Sequence, residues 1–408
     1  MPHILVIGAG ITGVTTAYAA LARGCRVTIV DRQRYAGMET SFANGGQLSA
    51  CNAEVWNSRA TLIKGLKWVF RADAPLLLNP APSWHKYSWL GEFTAQIGGY
   101  RRNTIATTRL AIAAREKLFA ITRAEGIDFD LEQRGILHIY RDKPAFEAAT
   151  KVNELLREGG LDRYAVTPEE MRGIEPTLPT GNLYGGFFTP SDSTGDIHKF
   201  CIGLAAACAA KGATLLMDTS ITGLAADATG VTASILPEGG TPGELKADAV
   251  VICAGIASRH LASLLGDRVN IYPVKGYSIT VPLESETAQA AAPYVSLLDE
   301  GAKIVTSRLG KQRLRVAGTA EFNGANKNIR ADRIQPLADW TRRLFPEVPT
   351  ESVQPWAGLR PMMPDMMPRV ARGRKPGVFY NTGHGHLGWT LSPATAELVM
   401  DQVLLNPA

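Results

Sequence analysis

The chain has few cysteines: five in 408 residues, Cys25, Cys51, Cys201, Cys208 and Cys253. They form no CxxC, pair with no nearby histidine and are odd in number. That excludes a disulfide scaffold and a metal site, and it fits reduced thiols in a cytoplasmic protein. Long apolar runs are also missing. No stretch approaches the roughly 18 uninterrupted apolar residues of a membrane span, and a glycine turn interrupts the apolar N-terminus too soon for the core of a signal peptide. No run of five or more like charges occurs. The formal net charge of +5 suits anionic cofactors and substrates but is too diffuse to argue for nucleic acid. Internal repeats and low-complexity segments are absent as well. At this length two domains are the default, and a composition of 45% hydrophobic and 20% charged residues is that of a soluble α/β protein.

The clearest positive feature is at the N-terminus. His3-Ile-Leu-Val-Ile7 reads as a strand, Gly8-Ala-Gly10-Ile11-Thr12-Gly13 as a glycine turn, and Ile11 to Arg23 as a helix ending at Gly24. A second apolar run, Val27-Thr-Ile-Val30, ends in Asp31. This is the dinucleotide-binding pattern in its confirming context. Gly8 allows the tight turn, Gly10 removes the Cβ that would block a pyrophosphate, and Gly13 lets the helix pack on the strand. The helix N-terminus faces the phosphates, and Asp31 accepts hydrogen bonds from a ribose. Residues 32–55 are too long for a simple connection and are expected to have a binding role.

Further along, residues 56–100 read as helical segments containing Trp56, Trp68, Trp84 and Trp89. Helices are expected at 104–125, 144–158, from Thr167 to Glu175, at 198–211, 333–344 and 392–405. Strands are expected at 135–140, 185–188, 214–217, 231–236 and 378–381, and at 249–255, which is nearly continuous in apolar residues as a strand buried on both faces should be. Segments 273–282, 303–308 and 313–318 read as a separate antiparallel sheet. The strand ending in Ala254-Gly255 and the C-terminal turn Gly383-His384-Gly385-His386-Leu387-Gly388 look like distant parts of the first domain. A cofactor domain assembled from three segments points to FAD more than to NAD. Asn44, Gly45, Gly46 and Gln47 are expected at the flavin ring or ribityl chain, and the C-terminal helix start at its N1/C2=O edge.

With these pieces in place, the sequence resembles the FAD-dependent D-amino acid dehydrogenases of the D-amino acid oxidase-like superfamily, over nearly its whole length. The resemblance is carried by Gly8-Ala-Gly-Ile-Thr-Gly13, Glu39-Thr-Ser-Phe-Ala-Asn-Gly-Gly-Gln47, Ile174-Glu-Pro-Thr-Leu178, Gly195-Asp196, Tyr272-Pro-Val-Lys-Gly-Tyr-Ser278, Trp356-Ala-Gly-Leu-Arg-Pro361 and Asn381-Thr-Gly-His-Gly-His-Leu-Gly-Trp-Thr390. It implies an α/β fold: a Rossmann-like FAD domain with a parallel central sheet (1–90, 190–260, 345–408) and an α+β substrate domain with a mixed, mostly antiparallel sheet (91–189, 261–344). It extends the cofactor site to Arg32, Thr40, Ser41, Leu48, Ile221, Trp389 and Thr390. It also implies oxidation of a D-amino acid to a 2-oxo or imino acid, with electrons passed to a quinone or an electron-transfer protein, and association with the inner face of the cytoplasmic membrane. A preference for cyclic substrates such as D-proline or hydroxy-D-proline is one form of this reading, and an oxygen-using glycine or sarcosine-type oxidase is the alternative.

By motif position Arg360 is the carboxylate anchor, a role that suits a bidentate guanidinium. Tyr272 and Tyr277 are expected either to place hydroxyls near the substrate or to be core tyrosines. Lys275 is expected to meet the flavin or a backbone carbonyl. Arg308 is expected to be a second anion contact or to face solvent. His384 is expected at the flavin edge, with no acid or base role. Sarcosine oxidases attach flavin through a cysteine shortly after the equivalent arginine. Here Met362-Met363 follow Pro361, so FAD is expected to be non-covalent. Lys64, Lys67 and Arg71 beside Leu62, Ile63, Leu66 and Val69 suit either a membrane surface or a packed lid.

Overall fold

A computed structural model describes residues 1–68, 76–179 and 181–405. Its first sheet runs in the order Arg369–Arg372, Val378–Thr382, Ala249–Ile252, His3–Ile7, Arg26–Val30, Thr214–Leu216. All pairs are parallel except the first. His3–Ile7 is central and buried throughout, which is why it is almost purely β-branched and aliphatic. Alternation sends Ile4 and Val6 to one face, where helices Ile11–Ala22, Ile197–Ala210 and Gly388–Leu405 cover them with Val14, Phe200, Leu204 and Val399. Leu5 and Ile7 point to the other face, covered by an antiparallel sheet of Thr219–Asp227, Gly230–Pro237 and Gly243–Ala247 and by helix Ser258–Leu264. The chain leaves His3–Ile7 on one side toward Arg26–Val30 and returns on the other through Ala249–Ile252. The first glycine turn therefore sits at a topological switch point, where open α/β sheets bind ligands.

The second sheet is mixed. Its order is Gln354–Met362, Tyr272–Pro282, Arg313–Phe322, Ile304–Leu309, Ser296–Asp299, Ile136–Tyr140, Gly185–Thr189, Tyr164–Val166, with Leu76–Leu78 added beside Ala320–Phe322. One face packs Ile279, Val281, Leu297, Leu314 and Val316 against Leu337 and Trp340 of helix Ala331–Leu344. The other face is turned toward the first sheet. Edge strand Gln354–Met362 is absent from the sequence-based reading because Pro355, Gly358 and Pro361 look like breakers. At a sheet edge proline leaves no ladder bond unmade. Gln354–Met362 and Leu76–Leu78 both fall in segments that the two-domain division assigns to the cofactor part, yet they pair within the mixed sheet.

The tryptophan-rich stretch holds helices Arg59–Trp68 and Trp84–Ala95, and the long amphipathic helix spans Tyr100–Glu125. Val69 and Arg71 lie outside the described residues, as do the side chains of Lys64, Leu66 and Lys67. The C-terminal helix begins at Gly388, four residues earlier than its apolar pattern predicts, so the Gly383–Gly388 turn opens straight into it. All five cysteines are buried and free.

Candidate active site

Gly8 has φ +106°, and a Cβ there would stand 2.7 Å from the Cys253 carbonyl. A Cβ on Gly13 would overlap the Gly8 carbonyl oxygen. Gly10 differs: its Cβ would meet nothing closer than Ser41 Oγ at 3.6 Å, because that side of the turn faces a cavity. The helix that starts at Ile11 has no side-chain cap from Gly10 and no acid in its first turn. Ser41 Oγ accepts from Ile11 N at 3.2 Å from across the chain. Asp31 accepts from Ala9 N (2.6 Å) and Gln33 N (2.8 Å), which orients its carboxylate at the cavity wall. Burial raises its pKa against those two bonds. Thr12, Arg32, Ile221, Ala254 and Gly255 line the same end, and Arg32 pairs with Glu39 at 2.7 Å.

The connection after Asp31 fastens the two sheets together. Thr40 Oγ1 donates to Leu359 O (2.8 Å), Ser278 Oγ to Ala43 O (2.7 Å), Arg315 Nη1 to Asn44 O (3.0 Å) and Ser307 Oγ to Gly45 O (2.6 Å). Each of the four strands at the Gln354–Met362 end of the mixed sheet thus holds one point of the loop. Gly45 and Gly46 lie so close to that sheet that a Cβ would come within 2.9 Å of Val305 and 3.1 Å of Ser307 respectively. The polar side chains here are turned to the protein. Asn44 Oδ1 accepts from Gly46 N (2.9 Å), and Gln47 Nε2 donates to Ser296 Oγ (2.7 Å).

Arg360 is placed by strand register. It shares one strand face with Gly358 and Trp356, opposite Val274, Gly276 and Ser278. A Cβ on Gly276 would overlap the Arg360 guanidinium, and one on Gly358 would overlap the Trp356 indole. Two paired glycines thus clear a trough, and the arginine lies in it. Among the described residues no carboxylate pairs with Arg360. Its Nη1 donates to Thr319 O at 3.1 Å. Burial alone lowers its pKa to about 10, so it stays charged at neutral pH. Beside it, Gly385 N donates to Pro361 O (3.0 Å) and ties the glycine–histidine turn to the arginine strand. His386 stacks on Trp56 with centroids 4.9 Å apart and shares a hydrogen bond with Asn52 O at 3.2 Å. Burial lowers the pKa of His386 to about 4 and that of His384 to about 3, so both rings are neutral. His384 is buried, and His386 is half-buried against Trp56.

One cavity of about 1290 Å³ joins these parts, from Gly8 and Asp31 past Gly45 to Gly383, His384, Gly388, Trp389 and Arg360. That exceeds the ~300–1,000 Å³ of an ordinary small-ligand site. An open Gly10 edge, a helix start without an acid in its first turn, an oriented Asp31 and a slot continuing to a half-buried cation fit FAD followed by an anionic substrate. Several expected residues lie off the wall. Gly13, Leu48, Leu387 and Thr390 pack behind it, and Thr390 Oγ1 accepts from Ser49 N at 3.1 Å.

The tyrosine expectation needs correction. Tyr272 sits in an aromatic cluster with Trp89 and Phe322, its hydroxyl accepting from Gly324 N at 3.2 Å, away from the cavity. Tyr277 borders the cavity, but its hydroxyl donates to Glu321 Oε2 at 2.6 Å. Lys275 meets Glu321 (3.2 Å) and the Asn328 carbonyl (3.1 Å), which bears out the carbonyl alternative. Arg308 is neither anion contact nor solvent-facing. It is buried and donates to the carbonyls of Gly310, Ala292, Gln289 and Lys311. The sequence reading did not single out Trp56, Gly276, Thr319, Trp356, Gly358 and His386 as site residues. Glycine pairs at one register are invisible before the strands are aligned.

Residues 3–402 match the family of FAD dependent oxidoreductases. A D-amino acid dehydrogenase of Mesorhizobium japonicum is 64% identical over 98% of this chain and 96% of its own length. One from Paramagnetospirillum magneticum is 42% identical over 99% and 96%. Among solved structures, glycine oxidase from Geobacillus kaustophilus aligns over 100% of this chain and 96% of its own, with a TM-score of 0.77 at 20% identity. L-proline dehydrogenase from P. horikoshii aligns over 100% and 94%, with a TM-score of 0.76 at 16% identity. At those identities the likeness establishes the fold.

Two expectations follow. Acid precipitation of the purified protein releases its flavin into the supernatant, and yellow colour kept in the pellet would show a covalent bond. Gly276→Ala pushes the guanidinium aside while the backbone stays. The affinity for a small carboxylate such as benzoate should then fall about 10–100-fold, the loss of one or two charge-assisted hydrogen bonds, with the melting temperature nearly unchanged.

Proposed function

The chain belongs to the FAD-dependent oxidoreductase family, and from that premise we propose that it is a D-amino acid dehydrogenase. The single observation that carries this reading is Arg360, a half-buried cation at the end of the cavity that no carboxylate pairs with among the described residues. The names of relatives at 64% and 42% identity support the D-amino acid class.

FAD, when bound, supplies a two-electron acceptor for the hydrogen on the amino acid Cα. The chain does the rest. Gly8, Gly10 and the start of helix Ile11–Ala22 receive the pyrophosphate, Asp31 the adenosine ribose, and the 39–47 loop with the Gly383–Trp389 turn the ring end. Arg360 fixes the substrate carboxylate, held in place by Thr319 O and the Gly276 trough. The substrate amine must lose its proton before Cα is oxidised. The neighbouring guanidinium and the neutral, aromatic Trp56–His386 wall both disfavour an ammonium and lower its pKa. No protein base is required, and orientation is the main contribution. The product imino acid hydrolyses to a 2-oxo acid and ammonia, or persists as a cyclic imine when the substrate is D-proline or hydroxy-D-proline. Electrons pass on to a respiratory acceptor.

The reading includes peripheral contact with the inner face of the cytoplasmic membrane. Ile63, Trp84 and Tyr87 are exposed, and no helix among the described residues is long and apolar enough to cross a bilayer. Exposed aromatics of this kind suit an interfacial contact.

Anaerobic addition of D-amino acids, including D-proline, should bleach the oxidised flavin absorption while L-enantiomers do not. Arg360→Ala should raise the half-saturating concentration by about 10²-fold, on the scale of a lost charge-assisted pair. No bleaching by any D-amino or D-imino acid would refute the assignment. The protein should also co-sediment with anionic vesicles and release on Trp84→Ser, Tyr87→Ser. Equal partitioning of the variant and the parent would rule out this patch as the contact.

A further inference from the structure

The cavity continues past Arg360 and the glycine–histidine turn. Arg360 lies on the first strand of the mixed sheet, and His138 and Tyr140, which line the same cavity, lie on the sixth. Five strand spacings of ~4.8 Å put these ends about 20–24 Å apart. An amino acid, with ~3.6 Å of backbone, cannot hold Arg360 and reach the far end. The far lobe is therefore a separate subsite, joined to the first along the 47–52 loop. Asn52 Nδ2 donates to Gln47 Oε1 at 3.4 Å, and Asn52 O bonds the His386 ring.

Its construction is specific. Leu298, His138 and Tyr140 form the floor. Ala145, Ala149 and Val152 of helix Lys143–Glu158, spaced i, i+4, i+7, form an apolar wall kept low by alanine. Ala148 and Lys151, both exposed, mark where the lobe opens to solvent. Arg163 borders the lobe at 3% exposure. Its guanidinium lies 4.6 Å over the Phe187 ring and donates to Asn153 Oδ1 at 3.3 Å, and its Nε has no hydrogen-bond partner. Among the described residues no carboxylate pairs with it. His138 contacts Cys51 Sγ at 3.1 Å, while its buried Nδ1 has no hydrogen-bond partner and lies 3.7 Å from Glu300. A flat apolar wall beside under-satisfied buried donors suits a planar ring that carries oxygen acceptors.

We propose that this lobe docks the electron acceptor that reoxidises the protein, a small ring of the benzoquinone class, its face on the alanine wall and a carbonyl oxygen toward Arg163. This rests on the dehydrogenase reading above, since such an enzyme turns over only if a second molecule removes the two electrons. The acceptor takes two electrons and one proton from the reduced cofactor and a second proton from solvent at the Ala148 mouth. Its two carbonyls become hydroxyls, and the cofactor returns to its oxidised form.

Ala148→Trp plugs the mouth at an exposed helix position, and Arg163→Lys keeps the charge but removes the planar fork. Three readouts on the holoenzyme separate the possibilities: anaerobic flavin reduction by a D-amino acid, reoxidation of dithionite-reduced protein by a water-soluble benzoquinone, and calorimetric affinity of the oxidised protein for that quinone without substrate. Both variants should weaken quinone affinity and slow reoxidation at least tenfold, with the rate of flavin reduction unchanged. Slowed reduction with normal reoxidation would make the lobe a substrate path and overturn the proposal. Unchanged quinone binding and reoxidation in Ala148→Trp would also overturn it. Because dithionite supplies the electrons, the quinone arms stand even if no D-amino acid reduces the flavin, so the two readings fail separately.

Discussion

A guanidinium withdrawn from most of its solvent without a carboxylate beside it loses hydration that nothing in the protein fully replaces. Arg360 is in that position, with the Thr319 carbonyl at 3.1 Å and its pKa pulled to about 10. Such a charge is tolerated when a ligand anion completes it, and the fold around it is arranged to leave that anion a place. The paired glycines Gly276 and Gly358 give up side-chain packing so that the arginine and Trp356 can lie across the sheet. Arg360 and the neutral Trp56–His386 stack give that end of the cavity an aromatic wall and a fixed positive charge.

The rest of the architecture brings this charge to a dinucleotide. The Gly8–Gly13 turn sits where the strand order of the parallel sheet reverses, and the 39–47 loop runs from that sheet to four strands of the mixed sheet, bonded once to each. The cavity lies between the sheets because the loop holds them there. Its glycines bring the backbone close against Val305 and Ser307, and its side chains turn inward, leaving the main chain and the glycine–histidine turn as the wall. On the proposed reading function is divided: the parallel sheet would hold the cofactor, and the mixed sheet the group that selects what reacts with it.

Legibility in the sequence follows the range of the interactions. The glycine turn, Asp31 and the central strands are local patterns, and the structure has them within three residues. Arg360 was found only through its motif, since nothing local distinguishes a strand arginine in a trough from one facing solvent. Strand Gln354–Met362 was hidden by prolines that an edge position accommodates. Tyr272 and Tyr277 take the core alternative, because the partners of their hydroxyls, Gly324 N and Glu321, lie more than 40 residues away in sequence. His386 was not singled out because its stacking partner, Trp56, is more than 300 residues away. Arg308 looked free because the carbonyls that surround it come from a hairpin and a helix end.

The central claim, that a fixed, half-buried cation selects a carboxylate beside the cofactor, is tested most directly by comparing D-alanine with D-alaninamide as anaerobic reductants of the bound flavin. The two share the reacting Cα–H and amine and differ in the anion. D-Alanine should half-saturate at a concentration about 10–100-fold lower, in line with ~1.5–3 kcal/mol for a charge-assisted hydrogen bond. Equal half-saturation would contradict the role of Arg360.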